Sequence, residues 1–397
     1  MANNNENKIL NVPHLRFPEF SGKWKKCTLG DITINFNLRN KEKIELPMYS
    51  VTNNRGFIPQ SEQFEDRDMV GEDIKAYKII HNKDFAYNPA RINVGSIAKY
   101  NGSKPCMISS LYVCFKAANG IDEDWLMHLL RSPKIQYYYN INGEGGVRIY
   151  LFYPNFARIR TSFPTIAEQR KIANLLSLLD ARITTQNKII EDLKKLKSAI
   201  IDYAIDSLDT DFAKFSSLYE TAGEGGTPTT SNASFYDNGK IPFVKIDDLK
   251  QKYLTENKDF ITELGLQKSS AWLVPTRSIL FSNGATIGEI TITTYPVCTK
   301  QGILGIVPKS NIDVEFLYYF MSSTYFKKAV SRIVTEGTMK TAYLKDINNI
   351  LCPIPIKEKQ QGIAKIPSTL NSKIDFEQSI LRLFWAQKRH LLSQMFI

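Results

Sequence analysis

Apolar residues between 165 and 204 return at spacings of three, four and seven: Ile172, Leu179, Ile183, Ile190, Leu193 and Ile200, with Gln186 as the polar interruption. That is a single apolar stripe, close to a heptad seam, and it predicts one long helix on the order of 60 Å. Pro164 followed by Thr165-x-x-Glu168 has the form of a capping box at its start. A second stripe runs through Ile363, Leu370, Ile374, Leu381 and Phe384, with Glu377 as its polar interruption. The two stripes superpose at an offset of 191, which puts Pro164 on Pro355, Gln169 on Gln360 and Ile172-Ala173 on Ile363-Ala364. In the second copy Ile356 and Lys359 replace the capping-box residues and Pro367 replaces Leu176. That predicts a lost cap and a kink or late start. A helix with one apolar stripe needs a partner, and the nearest candidate is its own copy. The expected pairing set is therefore Ile172, Leu179, Ile183, Ile190 and Leu193 against Ile363, Leu370, Ile374, Leu381 and Phe384.

Fainter repeats precede each helix. "NVGSIAKY" (93–100) matches "TIGEITIT" (286–293), a β-like alternation around a glycine, and "DEDWLMHLLRS" (122–132) matches the helical "DVEFLYYFMSS" (313–323). "GEGGVRIY" (143–150) answers "TEGTMKTAY" (335–343), a glycine loop carrying Arg148 in one and Lys340 in the other. Short apolar runs such as "LYVCFK" and "GILGIV" read as strands. The pattern predicts an α+β chain made as a tandem repeat: two α/β globules and two long helices packed as an antiparallel coiled coil, with the halves related by a pseudo-two-fold axis. The expected segments are an N-terminal arm at 1–22, globules at 23–163 and 207–354, and helices at 164–206 and 355–397.

Composition narrows the class. A chain of 397 residues with 43% hydrophobic content can bury more than one core. It has no run of about 18 apolar residues, hence no expected membrane span, and the start "MANNNENKIL" lacks the apolar core of a signal peptide. Five scattered cysteines without a CxxC point to a reducing cytoplasm and away from a zinc site, and the four histidines form no ligand-spaced pair. The net charge of +11 favours a polyanionic partner such as nucleic acid.

No catalytic constellation emerges. Asn88-Pro89-Ala90-Arg91 lacks the second proline and the aromatic of an adenine-methyltransferase signature. No Gly-x-Gly-x-x-Gly follows a strand, and "GEGG" at 143–146 and 223–226 are short glycine loops rather than phosphate cradles. Glu256-x-Lys258 with Asp247 or Asp248 has the residue types of a metal nuclease but is a common coincidence in a Lys- and Glu-rich chain, and Cys114 lies in an apolar run as a core residue would. What remains is a binding surface: Arg91, Asn93, Lys99, Lys104 and Arg148 in the first globule, and Arg277, Asn283, Lys300 and Lys340 in the second. Arg, Lys, Asn and Gln have the donors needed for guanine and adenine edges, and other cations would hold phosphates. For any one of them a solvated surface charge is the plainer reading.

The segments "VPHLRFPEFSGKWKKCTLGDI" (12–32), "NPARINVGSI" (88–97), "FPTIAEQRKIANLLSLLDARI" (163–183) and "KRHLLSQMFI" at the end together resemble the specificity subunits of type I restriction-modification systems, across essentially the whole chain. Lys359 in place of the usual glutamate, and Pro367, depart from that pattern. The resemblance implies that the globules are target recognition domains and the helices conserved spacers. It implies a non-catalytic chain on double-stranded DNA, joined by two methyltransferase (modification) subunits and by restriction/translocase subunits. S-adenosylmethionine, ATP and Mg2+ would be used by those partners, with no cofactor in this chain. Unlike heads on a shared frame then predict a split, non-palindromic target: two short half-sites separated by unread bases. A coiled-coil adaptor that ignores nucleic acid, or a nuclease or methyltransferase acting alone, are the competing readings.

Overall fold

The computed structural model describes residues 11–62, 74–145, 149–284, 286–334 and 340–397. They divide into two compact units, one holding the chain up to Asn187 together with Ile380–Ile397, the other holding Lys188–Ser379. Each unit is thus a globule plus a stretch of both long helices.

The first unit is centred on a four-stranded antiparallel sheet. Its order is Thr33–Phe36, Val113–Ala117, Phe85–Tyr87 and Ile97–Lys99. The second unit repeats this order with Tyr219–Glu224, Ile303–Pro308, Ile279–Ser282 and Ile290–Thr293, and adds Tyr253–Leu254 in parallel at the far edge. A two-stranded ribbon closes each globule at the root of its long helix: Lys25–Thr28 with Arg160–Phe163, and Phe212–Lys214 with Leu351–Pro353.

Helix caps repeat as faithfully as strands. In the first unit α1 (Glu123–Leu130) starts on Asp122, whose carboxylate accepts from the Asp124 and Trp125 amides; α2 (Pro133–Asn142) starts on Ser132 with proline at its first turn. α3 is the central helix, Ile166–Asp206. In the second unit α4 (Val314–Ser322) starts on Asp313 and α5 (Thr324–Ile333) on Ser323, each 191 positions after its counterpart. α6 is the C-terminal helix, Lys357–Gln394.

α6 runs unbroken through Pro367, so the expected late start does not occur. Pro367 is buried, and tertiary packing holds the helix across the amide hydrogen bond that proline lacks. The cap of α3 also differs from expectation in part. Thr165 Oγ1 accepts from the Glu168 amide at 3.4 Å, but the Glu168 carboxylate does not return to Thr165. It is 1% exposed and accepts from Nε and Nη2 of Arg16, each at 2.8 Å, and from the Trp24 indole at 3.2 Å. A buried carboxylate is far better satisfied by a forked guanidinium than by one amide.

Within each unit the two long helices run antiparallel. In the first, Ile172, Ala173 and Leu176 share a core with Leu392, Met395 and Phe396, and Lys388 ion-pairs with Asp180. In the second, Ile201 and Ile205 share a core with Ala364, and Lys197 Nζ donates to Asn371 Oδ1 at 2.9 Å. Lys197 and Lys388 are 191 apart, as are Asp180 and Asn371. Among the expected pairing residues Leu179, Ile183, Ile190 and Ile374 are buried, while Leu193, Ile363, Leu370, Leu381 and Phe384 are half-buried. Ile172 lies in the core of the first globule, where α3 packs on it. Gln186 and Glu377, the polar interruptions, are both buried. No helix among the described residues is long and apolar enough to cross a membrane.

Candidate nucleic-acid interface

The loop around Arg91 is built tightly. Asn88 Oδ1 accepts from the Ala90 amide and Asn88 O from the Arg91 amide, both at 3.0 Å, so the Asx turn sets the chain direction. Arg91 O accepts from Val94 and Ser96, Gly95 adopts a φ of +98°, and Ile92 plugs the core at 1% exposure. Pro89 O accepts from Leu151, which ties the loop to the segment after the first glycine loop. The guanidinium of Arg91 is exposed and has no hydrogen bond or ion pair among the described residues. A rigid loop that presents an unpaired arginine is suited to bidentate recognition of a base edge or phosphate.

Arg91 shares a cleft of about 490 Å3 with Asn54, Arg55, Gln60, Asn88 and Tyr112. Arg55, absent from the sequence-derived set, sits on the tip of the hairpin joining strands Tyr49–Thr52 and Gly56–Pro59, where Gly56 supplies a φ of +66°. It pairs with Glu62 at 2.6 Å, both largely exposed, an arrangement worth little in water and readily exchanged. Asn-Asn-Arg-Gly at 53–56, a turn signature carrying three donors, was the available signal.

The other candidates spread out. Asn93 Nδ2 donates to Asn140 Oδ1 at 3.3 Å, and Lys104 is exposed. Lys99 is corrected: its side chain is 11% exposed and committed to Asp124, so it braces strand to α1 rather than facing a partner. Arg148 lies outside the described residues. In the second unit Arg277, Lys300 and Lys340 are exposed, Arg277 at a left-handed φ of 59°. Asn283 is corrected as well. It is 1% exposed, its Nδ2 donates to Ala342 O at 3.3 Å, and its backbone bridges Gly302 and Ala342. A side chain buried to that degree and holding a loop from inside cannot reach a base.

The weak catalytic signals are absorbed into structure. Asp248 accepts from the Lys245 amide at 2.9 Å as a cap, and Asp247 pairs with Lys250 at 3.0 Å. Glu224 of the second "GEGG" accepts from the Gly302 amide at 3.0 Å, so a carboxylate occupies the place an anion would need. Burial pushes the Cys114 thiol up to about 12, which removes it as a nucleophile. His128 of α1 is 6% exposed, its Nε2 3.3 Å from Ser177 Oγ of α3, and burial holds its pKa down at about 4 despite the charge of Asp180.

Comparison with known proteins agrees with this architecture. A family model described as the type I restriction modification DNA specificity domain matches residues 210–382. The type I restriction enzyme MjaVIII specificity subunit of Methanocaldococcus jannaschii is 24% identical over 69% of this chain and 70% of its own length. The MjaIX specificity subunit of the same organism is 31% identical over 42% of this chain and 39% of its own. By these comparisons the chain is similar to the specificity subunits of type I restriction-modification systems. A crystal structure of the specificity subunit from M. genitalium shares the fold, with a TM-score of 0.56 at 14% identity, over 97% of this chain and 99% of that one. The residues that the family model matches take in the second globule and most of α6. The sheets and caps of the two globules are held in common, whereas the loops bearing Arg91 and Arg277 are unlike.

Proposed function

We propose that this chain is a specificity subunit that reads a bipartite, asymmetric duplex target, one short half-site per globule, and scaffolds two modification subunits and the restriction/translocase subunits on its helices. The observation that carries this reading is the repeat of the frame beside the divergence of the heads. Gln169 and Gln360 make matching contacts, while the first globule presents Arg91 and Arg55 at a cleft and the second presents Arg277, Lys300 and Lys340 on different loops. Two unlike readers on equivalent frames specify a non-palindromic target, just as two identical ones specify a palindrome. The charge of +11 supplies the non-specific attraction to phosphates on which base reading is superimposed.

The chemistry belongs to the partners in this reading: adenine-N6 methylation with S-adenosylmethionine in the modification subunits, and ATP- and Mg2+-dependent cleavage with the restriction subunits. The chain's own contribution is to bind, orient and space. The deciding experiment is methylome sequencing of a host that carries the subunit with its modification partners. A single split motif with a fixed gap is expected. A palindromic motif, or turnover of DNA by the purified chain alone, contradicts the reading.

A further inference from the structure

In the second unit a charged side chain is buried where the globule meets its long helix. Lys252, whose side chain is 3% exposed, ion-pairs with Glu315 of α4 and donates to Ser368 Oγ of α6 at 3.0 Å. Ser368 Oγ donates in turn to Glu315 Oε2 at 3.1 Å, and the Tyr253 hydroxyl donates to the other oxygen of Glu315. The rings of Tyr253 and Tyr319 lie 4.7 and 4.8 Å from the ammonium. The carbonyl of Lys252 accepts from the Ile292 amide at 2.7 Å, which anchors the residue to the main sheet. One side chain thus joins sheet, α4 and α6.

The first unit has a counterpart 191 positions earlier. Asp124 stands for Glu315 and takes Lys99, while His128 stands for Tyr319 and meets Ser177, the equivalent of Ser368. A serine at the same place on each long helix receives the globule.

Burying a lysine and a glutamate together is a poor route to stability, because desolvation offsets the attraction and apolar residues of similar size do as well. Its distinctive effect is directional: the ammonium can be satisfied in only one arrangement of the three elements. We infer that the Lys252–Glu315–Ser368 clip is a positioning device. It fixes the orientation of the second globule on its stretch of α6 and so sets the number of unread base pairs the subunit accepts before the second half-site. This rests on the bipartite reading proposed above. A shift of one base pair moves a half-site by about 3.4 Å and turns it by about 35°, so a globule held by packing alone, free to tilt, accommodates neighbouring spacings.

The test is the distribution of gap lengths in methylomes of K252M and S368A, each expressed with the modification partners, alongside thermal unfolding of the purified subunits. Both variants are expected to keep the two half-site sequences and to raise methylation at gaps one base longer or shorter by about tenfold. An unchanged gap distribution with a lowered unfolding midpoint shows a merely structural clip and overturns the inference. A changed half-site sequence overturns it too, because Lys252 would then touch DNA. S368A removes one hydroxyl from a helix surface and carries the test where K252M fails to fold. If the wild-type subunit yields no split motif, the bipartite reading itself fails, a result distinct from either variant outcome.

Discussion

Gln169 and Gln360 make the same three hydrogen bonds in the two units. Gln169 Oε1 accepts from the Asp122 amide at 2.8 Å, and its Nε2 donates to Gly120 O and Pro164 O at 3.3 and 3.0 Å. Gln360 Oε1 accepts from the Asp313 amide at 2.7 Å, and its Nε2 donates to Asn311 O and Pro355 O at 3.2 and 2.8 Å. Every partner is displaced by 191 positions, and both side chains are essentially unexposed. The amide locks the first turn of α3 to the cap of α1, and that of α6 to the cap of α4, which is how a globule is set on its spacer.

Replacing either glutamine by alanine leaves a buried amide and two carbonyls unpaired. Each of Q169A and Q360A is expected to cost about 2–4 kcal/mol of unfolding free energy, measured by urea titration. A loss below about 0.5 kcal/mol at both positions would show that the lock is ornamental.

Arg16 and Glu168 form a second lock without a counterpart in the second unit, where Lys359 stands in place of the glutamate. R16A leaves Glu168 buried and unpaired apart from the Trp24 indole, and is expected to destabilise by about 3 kcal/mol. The double variant R16A/E168Q should recover a large part of that loss. Equal instability of the single and double variants would mean that Arg16 acts by packing rather than charge.

His128 makes stability depend on pH. Its imidazole titrates near 4 when folded against an ordinary 6.5, so between those values unfolding takes up a proton. The contribution is complete above pH 6.5 and is lost as pH falls to 4, by at most about 3 kcal/mol. H128Y, which installs the residue found at the equivalent position 319, is expected to flatten the decline in thermal midpoint over that window. A decline identical to wild type would place the titration elsewhere.

Arg91 and Lys300 separate base reading from phosphate attraction. R91A is expected to relax one position of one half-site at a cost of about 1–3 kcal/mol, leaving the other half-site unchanged. K300A should weaken binding to all sequences alike and reduce the slope of log affinity against log salt by about one. Salt titrations of fluorescence anisotropy on target and scrambled duplexes distinguish the two.

The frame was legible because it is periodic. The stripe through Ile172, Leu179 and Ile183 and its copy reflect helix geometry that sequence spacing records directly, and the offset of 191 survives in caps as short as Asp122 and Asp313. The reading surface was legible only in part, because exposure is a tertiary property. Asn283 and Arg91 look alike in sequence, each polar beside small residues, yet one is consumed by the Ala342 segment arriving from far along the chain. Lys99 was lost to Asp124 on a helix 25 positions later, and Arg55 gained from a hairpin whose tip folds over toward the Arg91 loop. Lys252 carried little local signal, since apart from the neighbouring Tyr253 its partners Glu315, Tyr319 and Ser368 come from α4 and α6.

The central claim, one frame made twice and carrying two independent readers, is tested most directly by exchanging residues 213–350 for the corresponding segment of another specificity subunit and sequencing the methylome of the host. The account predicts that one half-site changes to that of the donor while the other half-site stays as in wild type. A change in both half-sites, or in neither, would contradict it.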